Sequence, residues 1–318
     1  MEKVKVFLTG ATGLVGRELA SAAVRAGAEL FAAQHTGEAG AGTPVRLDLR
    51  SEDSVKKALA SARPEVVIHS AAMTNVDECE SDEALATAVN ATATKVLAAE
   101  TKKRGCHLVY VSTDYVFDGS KGRYREEDRP NPVNHYGRTK LMGEEAVRAF
   151  ASSWCIARTS TPYGMHPKRK SFPVFVAERL AAGRQVLALA EQYTSPTYTV
   201  NLSDMILELA ARRFQGTMHV STPTRISRLD FAGLIAEELG LDRGLLGPAT
   251  PEQLGWVARR PNDTSLDVSK ATAYLKNRPE RLDESLEVFL PSLRRHVFRR
   301  EGGAKAKWSA SAEGASPR

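Results

Sequence analysis

The first half of the chain alternates short apolar runs with segments of helical periodicity. The apolar runs are VKVFLTG, AELFAA, EVVIHSAA, HLVYVS and WCIARTS, and the segments at 13–26, 51–62, about 83–103 and 137–151 have helical spacing. Nearly continuous apolar strands separated by helices are typical of a parallel sheet that is covered on both faces, with right-handed crossovers. The pattern therefore predicts an α/β fold with a doubly wound parallel sheet.

The pattern loosens beyond residue 160. FPVFVAERLAAG and NLSDMILELAARR are helical in spacing, GTMHVS is strand-like, and SRLDFAGLIAEELG predicts a helix that opens at Ser227. We therefore expect a first domain over residues 1–160 and a mainly separate, smaller α+β substrate-binding domain over residues 161–298, some segments of which return to the first. Residues 299–318 are small, polar and aperiodic, and predict a disordered basic tail.

The net charge of +6 is concentrated at the C-terminal end. Residues 294–318 carry seven Lys/Arg and two Asp/Glu, so the rest of the chain is close to neutral. A fold without a basic stripe predicts no nucleic-acid partner, and no apolar run approaches the roughly 18 residues of a membrane span. The three cysteines lack metal-ligand spacing, and strand-like sequence begins by Val4, which leaves no room for a signal peptide. We expect a cytoplasmic protein with reduced thiols and no metal site.

A glycine-rich turn lies between the first predicted strand and helix. In TGATGLVG the glycines allow a tight turn and a close approach of the backbone to a pyrophosphate, which the N-terminus of the helix attracts. This position in a βαβ unit predicts a Rossmann-type dinucleotide site, rather than a tight turn without a ligand. The predicted cofactor-binding residues here are Gly10, Thr12, Gly13, Leu14, Val15 and Gly16.

The end of the second strand bears on the choice of nicotinamide cofactor. An acid there binds the ribose hydroxyls of NAD, but this chain has Gln34 and His35. The absence of an acid favours NADPH, with NADH still possible, although no arginine is obviously placed to hold the extra phosphate. Further along, Asp48, followed by Leu49, either accepts from the adenine amino group or lies in a loop before a helix.

A tyrosine and a lysine lie four residues apart in HYGRTK, on one face of the helix after the fourth predicted strand. Reduction of a ketone requires a proton donor at the developing alkoxide, which suits Tyr136 if a nearby cation lowers its pKa. Lys140 would supply that cation and hold the nicotinamide ribose. Thr113, at the end of the fourth strand, would hydrogen-bond the carbonyl. Asn90 either steadies the lysine through water or is a structural helix residue.

Several longer segments resemble one family in sequence and order. TGATGLVG, HSAAMTNVDECE, STDYVFDGS, YREEDRPNPVNHYGRTKLMGE, SPTYTVNLSD and RRPNDTSLDVSK are similar to segments of the dTDP-4-dehydrorhamnose reductases, which are extended short-chain dehydrogenase/reductases. The resemblance implies NAD(P)H-dependent reduction of the 4-keto group of a nucleotide-linked 6-deoxyhexose. It also implies that the protein is a homodimer. The cofactor would be contacted by Ala71, Ala72 and Met73. The substrate would be contacted by Thr113, Asp114, Val76 and Arg260.

Two departures and a second resemblance leave alternatives open. Thr161 and Pro162 stand where the family usually has tryptophan, and Met73 stands where it often has tyrosine, so the sugar is not specified. The C-terminal stretch ESLEVFLPSLRRHVF is similar to the regulatory β subunit of methionine adenosyltransferase. That resemblance implies a cofactor-binding partner of a synthetase. Epimerase or dehydratase chemistry on the same scaffold is a third interpretation.

Overall fold

The computed structural model describes residues 3–35 and 37–299. Their helices and strands follow one another in chain order as β1 (Lys5–Thr9), α1 (Leu14–Arg25), β2 (Glu29–Gln34), β3 (Thr43–Arg46), α2 (Glu52–Ala62), β4 (Val66–His69), α3 (Val76–Ser81), α4 (Glu83–Thr87), α5 (Ala93–Arg104), β5 (His107–Thr113), α6 (His135–Phe150), β6 (Trp154–Thr159), β7 (Pro162–Tyr163), α7 (Phe172–Ala181), β8 (Val186–Ala188), β9 (Tyr193–Thr194), β10 (Thr197–Tyr198), α8 (Thr199–Ala211), β11 (Gly216–His219), β12 (Ile226–Ser227), α9 (Arg228–Leu239), β13 (Leu246–Pro248), α10 (Ser269–Tyr274) and α11 (Leu282–Arg299). A π-helical turn (Ala88–Thr92) joins α4 to α5.

The main sheet has the strand order β3-β2-β1-β4-β5-β6-β11, and all of its neighbouring strands are parallel. Residues of alternate parity on the strands point to opposite faces, so Val6 and Leu8 pack with α1, α8 and α10, whereas Phe7 packs with α2, α5 and α6. Both faces are therefore buried under helices, as the apolar strands require. The prediction of a doubly wound, Rossmann-type fold is confirmed.

A second apolar cluster lies among α7, α9, α11 and the short strands β7 and β8. Tyr163 and Phe289 pack edge to face at its centre, with ring centroids 5.2 Å apart. Not all of the second half belongs to this cluster, because β11 pairs with β6, and α8 packs on the main sheet. The division of the chain at residues 160 and 298 stays a prediction, and the predicted tail lies almost entirely outside the described residues.

Two local features differ from the sequence predictions. β3 was not predicted, because its four residues include Pro44 and form an exposed edge of the sheet. The long helix expected over about 83–103 is preceded by α3, and the π-helical turn interrupts it. Ser51 does cap α2 as expected, since its hydroxyl accepts a hydrogen bond from the Ser54 amide at 3.2 Å. None of the described helices is long and apolar enough to cross a membrane.

Candidate active site

The glycine-rich turn between β1 and α1 forms a cradle with an open helix N-terminus. Gly10 has φ of +72°, and a Cβ on it would lie 2.7 Å from the Ala71 amide nitrogen. A Cβ on Gly16 would lie 2.0 Å from the Gly10 carbonyl oxygen, so both positions require glycine. No side chain caps α1 at Gly13, and its first turn contains no acid. Its backbone N–H groups and helix dipole are thus available to an anion.

This cradle opens into a cleft of about 700 Å³ along the carboxyl edge of the main sheet. The cleft spans the point between β1 and β4 at which the strand order reverses, where ligands of such sheets bind. Most residues predicted for the site line it: Gly10, Thr12, Gly13, Leu14, Val15, Gly16, Asp48, Leu49, Ala71, Ala72, Val76, Thr113, Asp114, Tyr136 and Lys140.

Met73 and Arg260 are not among the lining residues. Arg260 forms an ion pair of 2.8 Å with Asp77, which directly follows the cleft-lining Val76 in the first turn of α3. Its guanidinium also stacks on Trp256. The backbone of Met73 is held by Asn90, whose side chain accepts from the Met73 amide at 2.8 Å and donates to its carbonyl at 3.0 Å. Both residues therefore shape the wall from outside.

The same contacts bear on the two interpretations of Asn90. Its second amide hydrogen is directed at the Thr139 hydroxyl, 3.0 Å away, so both amide hydrogens and the carbonyl oxygen of its side chain have partners within the protein. Asn90 is buried in the π-helical turn and ties that turn to Met73 and to α6. The contacts support the structural interpretation.

Thr113 and Asp114 end β5 at the wall of the cleft. The Thr113 hydroxyl donates to Asp114 at 3.1 Å and accepts from the Tyr115 amide at 3.2 Å. Asp114 also accepts from Ser160 at 2.7 Å and from Thr264 at 2.5 Å. Burial raises the pKa of Asp114, and these three hydroxyls oppose that rise. Through these hydrogen bonds Asp114, at the end of β5, is joined to Ser160 at the end of β6 and to Thr264. It also lines the cleft.

Tyr136 and Lys140 lie on successive turns of α6 that face the cleft. Burial raises the pKa of Tyr136 well above its usual value, and a hydrogen bond with Thr113 opposes the rise. The net shift is upward, opposite to the lowering expected from Lys140. Burial also lowers the pKa of Lys140, to about 7, and Glu144 on the next turn opposes this change. A lysine that is partly neutral near pH 7 has a weaker effect on the phenol.

The Lys140 ammonium is enclosed by protein. It donates to the Val111 carbonyl oxygen at 2.8 Å and lies 4.1 Å from the centroid of the Tyr110 ring. The side chain therefore has a fixed position at the floor of the cleft, where one ammonium hydrogen is used by the backbone of β5.

Lys140 should make the stability of the protein depend on pH. Between pH 7 and 9 the unfolded chain keeps the lysine proton while the folded chain loses it, so the free energy of unfolding rises with pH by on the order of 1 kcal/mol per unit. In Lys140→Met this contribution is absent. Urea unfolding of both proteins at pH 7, 8 and 9 measures the difference in slope. Parallel pH dependences of the two proteins would contradict the expectation.

Asp48 lines the cleft in an ion pair with Arg50. Its carboxylate accepts from the Arg50 Nε at 3.1 Å and Nη2 at 3.0 Å, and these bonds lower the pKa of Asp48 to about 2. The carboxylate also accepts from the Arg50 amide, so Asp48 shapes the turn before α2, while Ser51 is the cap. Arg50 lines the cleft together with Gln34 and His35.

Several lining residues were missed by sequence analysis. They include Arg50, Thr159, Arg169 and Arg228. Thr161, noted only as a departure from the family, also lines the cleft and has φ of +41°, which is uncommon for a residue other than glycine. His166 brings its segment to the cradle, since its Nε2 lies 3.1 Å from the Thr12 carbonyl oxygen. No local pattern indicates that residues 159–169 and 228 reach the cleft.

These features fit a dinucleotide. The cradle excludes a Cβ where a pyrophosphate would approach, the helix N-terminus is uncapped, and the cleft continues past Asp48 at one end and Lys140 at the other. A hydroxyl, a phenol and an amine meet where the nicotinamide end would lie. Fold and site define a nucleotide-dependent oxidoreductase of the Rossmann class.

Comparisons with known proteins identify the family. The model described as RmlD substrate binding domain matches residues 4–295, and the chain belongs to this family. The predictions of the family and of an NAD(P)H-dependent oxidoreductase are thereby confirmed. A dTDP-4-dehydrorhamnose reductase from Streptomyces griseus is 37% identical, covering 83% of this chain and 86% of its own. The Probable low-salt glycan biosynthesis reductase Agl14 from Haloferax volcanii is 35% identical, covering 88% and 95%.

Two further relatives bear on the interpretation. The crystal structure of dTDP-4-dehydrorhamnose reductase from Bacillus anthracis in complex with NADP has a TM-score of 0.83 and 30% identity, and the match covers 92% of this chain and 100% of that one. Methionine adenosyltransferase 2 subunit beta from Danio rerio is 30% identical, covering 84% and 83%. The resemblance of the sequence to the regulatory β subunit of methionine adenosyltransferase is thus matched by a relative of that name.

Proposed function

We propose that this chain reduces the 4-keto group of a nucleotide-linked 6-deoxy sugar with NADPH, and that dTDP-4-dehydrorhamnose, reduced to dTDP-rhamnose, is the first candidate substrate. The observation that carries the proposal is that Thr113, Tyr136 and Lys140 line one cleft together with the glycine cradle of α1. The name of the Streptomyces griseus relative supports the reaction class.

The roles of the residues follow from their positions. The cradle and the open N-terminus of α1 would hold the pyrophosphate, and Lys140 would hold the nicotinamide ribose. When bound, NADPH supplies the hydride. Tyr136 donates its phenolic proton to the keto oxygen, and its high pKa keeps it protonated until then. The Thr113 hydroxyl orients the same oxygen.

The direct test offers the purified protein dTDP-4-dehydrorhamnose and other nucleotide-linked 4-keto sugars, each with NADPH and with NADH. We expect the nicotinamide absorbance to fall in step with formation of the reduced sugar. The reaction should be faster with NADPH than with NADH, because no acid faces the cleft at the end of β2. Product without net oxidation of cofactor would instead indicate an epimerase or dehydratase.

The similarity to the Danio rerio subunit supports a second candidate, a cofactor-binding regulatory subunit. If the chain is such a subunit, it should bind NADPH without turning over any sugar nucleotide. A methionine adenosyltransferase should then be recovered with the protein when it is purified from its native host. The three-part set of hydroxyl, phenol and amine favours the reductase, since regulation alone does not require it. Assembly as a homodimer stays a prediction, which light scattering measures.

A further inference from the structure

One arginine of the cleft has no role in the site described so far. Arg228 is the first residue of α9 and lines the cleft near Asp114, Tyr115 and Tyr136. Its amide donates to the Gln192 carbonyl at 3.0 Å, and its guanidinium carbon lies 4.9 Å from the centroid of the Phe172 ring. A guanidinium that stacks on a ring is held in position while its edge N–H groups can bind an anion.

The Arg228 charge has no ion-pair partner among residues 3–35 and 37–299. Asp114 is the acid on this side of the cleft, but its oxygens accept from the hydroxyls of Thr113, Ser160 and Thr264 rather than from a guanidinium. A partly buried arginine without an ion-pair partner is suited to planar, bidentate binding of a phosphate or carboxylate.

An independent feature also indicates a ligand at this end. Thr159 is 5% exposed and lines the cleft, yet its hydroxyl has no hydrogen-bond partner within the described part of the chain. It is in register with Thr113 on the neighbouring strand. Buried hydroxyls are nearly always hydrogen-bonded, so an unpartnered one that lines a cleft indicates a polar ligand.

The position of Arg228 indicates which group of the ligand it meets. Arg228 lies beside the hydroxyl of Tyr115, where it opposes the rise in pKa that burial causes. The ring of Tyr115 in turn meets that of Tyr136 edge to face, with centroids 5.9 Å apart. Tyr115 thus contacts both the guanidinium and the ring of the proposed proton donor, so Arg228 and Tyr136 face the same part of the cleft. In a nucleotide-linked sugar, the diphosphate is attached across the ring from the 4-keto carbon.

We infer that Arg228 binds the diphosphate that links the sugar to its nucleoside. The inference rests on the proposed function and names the group that orients the sugar for proton transfer. A charged contact at the far side of the ring fixes which carbon faces Tyr136, so Arg228 acts as a substrate-binding residue rather than through the cofactor.

Calorimetric titration with dTDP and with UDP tests the inference without requiring turnover. For the diphosphate that binds the unmodified protein, Arg228→Gln is expected to weaken binding roughly 10- to 100-fold, because it removes charge-assisted hydrogen bonds. Arg228→Lys should retain part of the affinity. The matched control is Arg243→Gln, beyond the far end of α9, where an exposed arginine pairs with Glu237; it should bind like the unmodified protein.

Thymidine and uridine lack the diphosphate, so their titration measures the contribution of the nucleoside alone to binding. Their affinity should be unchanged in Arg228→Gln. Unaltered NADPH affinity shows that the variant is folded. Equal diphosphate affinity in Arg228→Gln and the unmodified protein, no binding of either diphosphate, or an equal loss for the nucleosides would overturn the inference. If the titrations succeed but no sugar nucleotide is reduced, the proposed reaction fails and the diphosphate site stands. If reduction occurs with unchanged KM in Arg228→Gln, the inference alone fails.

Discussion

Tyr136→Phe is expected to lower kcat for reduction of the sugar nucleotide by roughly 10²- to 10⁴-fold, the usual contribution of a positioned general acid. Phenylalanine retains the aromatic contact with Tyr115 and removes only the phenolic proton and its hydrogen bond with Thr113. Binding of NADPH should change little, since Lys140 and the glycine cradle remain. Steady-state rates, together with a fluorescence titration of NADPH, separate the two effects.

Tyr124→Phe is a matched control for that experiment. Tyr124 is also a buried phenol, but its hydroxyl donates to Asp118 at 2.5 Å, and it does not line the cleft. Its loss should leave kcat within a few-fold of the unmodified value. A Tyr136→Phe protein that keeps its kcat would show that the proton comes from another group, and would remove the main support for the proposed mechanism.

The sequence predicted those parts of the fold that depend on patterns between residues close together in the chain. The strand ends and glycine turns of the first half were predictable because apolar runs, helical spacing and glycine positions are local. Thus Gly10, Gly16 and Tyr136 are all where the pattern placed them, at the carboxyl edge of the sheet. β3 was missed for the same reason, since four residues at an exposed edge carry no apolar alternation.

The rest of the site depends on contacts between distant segments. Arg260 looked like a substrate residue, but Asp77, 183 positions away, holds it outside the cleft. Arg228 and Thr159 reach the cleft only because the second half of the chain packs over the carboxyl edge of the sheet. The π-helical turn is likewise stabilised by the bonds from Asn90 to Met73, which helical periodicity does not reveal.

A buried ion pair beneath the site should make the stability of this part of the fold sensitive to the loss of one partner. Glu144, one turn after Lys140, is fully buried and accepts from the Arg158 Nε at 2.8 Å and Nη2 at 2.7 Å. It also accepts from Ser112 on β5 at 2.7 Å. Burial alone would raise the pKa of Glu144, but the bonds from Arg158 outweigh it and the pKa is lowered. The pair thus joins α6, β5 and β6 behind Tyr136 and Lys140.

Glu144→Leu is therefore expected to lower the free energy of unfolding by roughly 3–5 kcal/mol, because it leaves the Arg158 charge buried without a partner. Arg148→Leu is the matched control, since Arg148 also pairs with Glu144 but is partly exposed, and its loss should cost about 1 kcal/mol or less. The double variant Glu144→Leu, Arg158→Leu should recover part of the loss, because no unpaired charge remains. Urea unfolding of five proteins measures these differences: the unmodified protein, the single variants Glu144→Leu, Arg158→Leu and Arg148→Leu, and the double variant. If Glu144→Leu costs no more than Arg148→Leu, or if the double variant loses at least the sum of the losses in Glu144→Leu and Arg158→Leu, the destabilisation does not come from an unpaired buried charge.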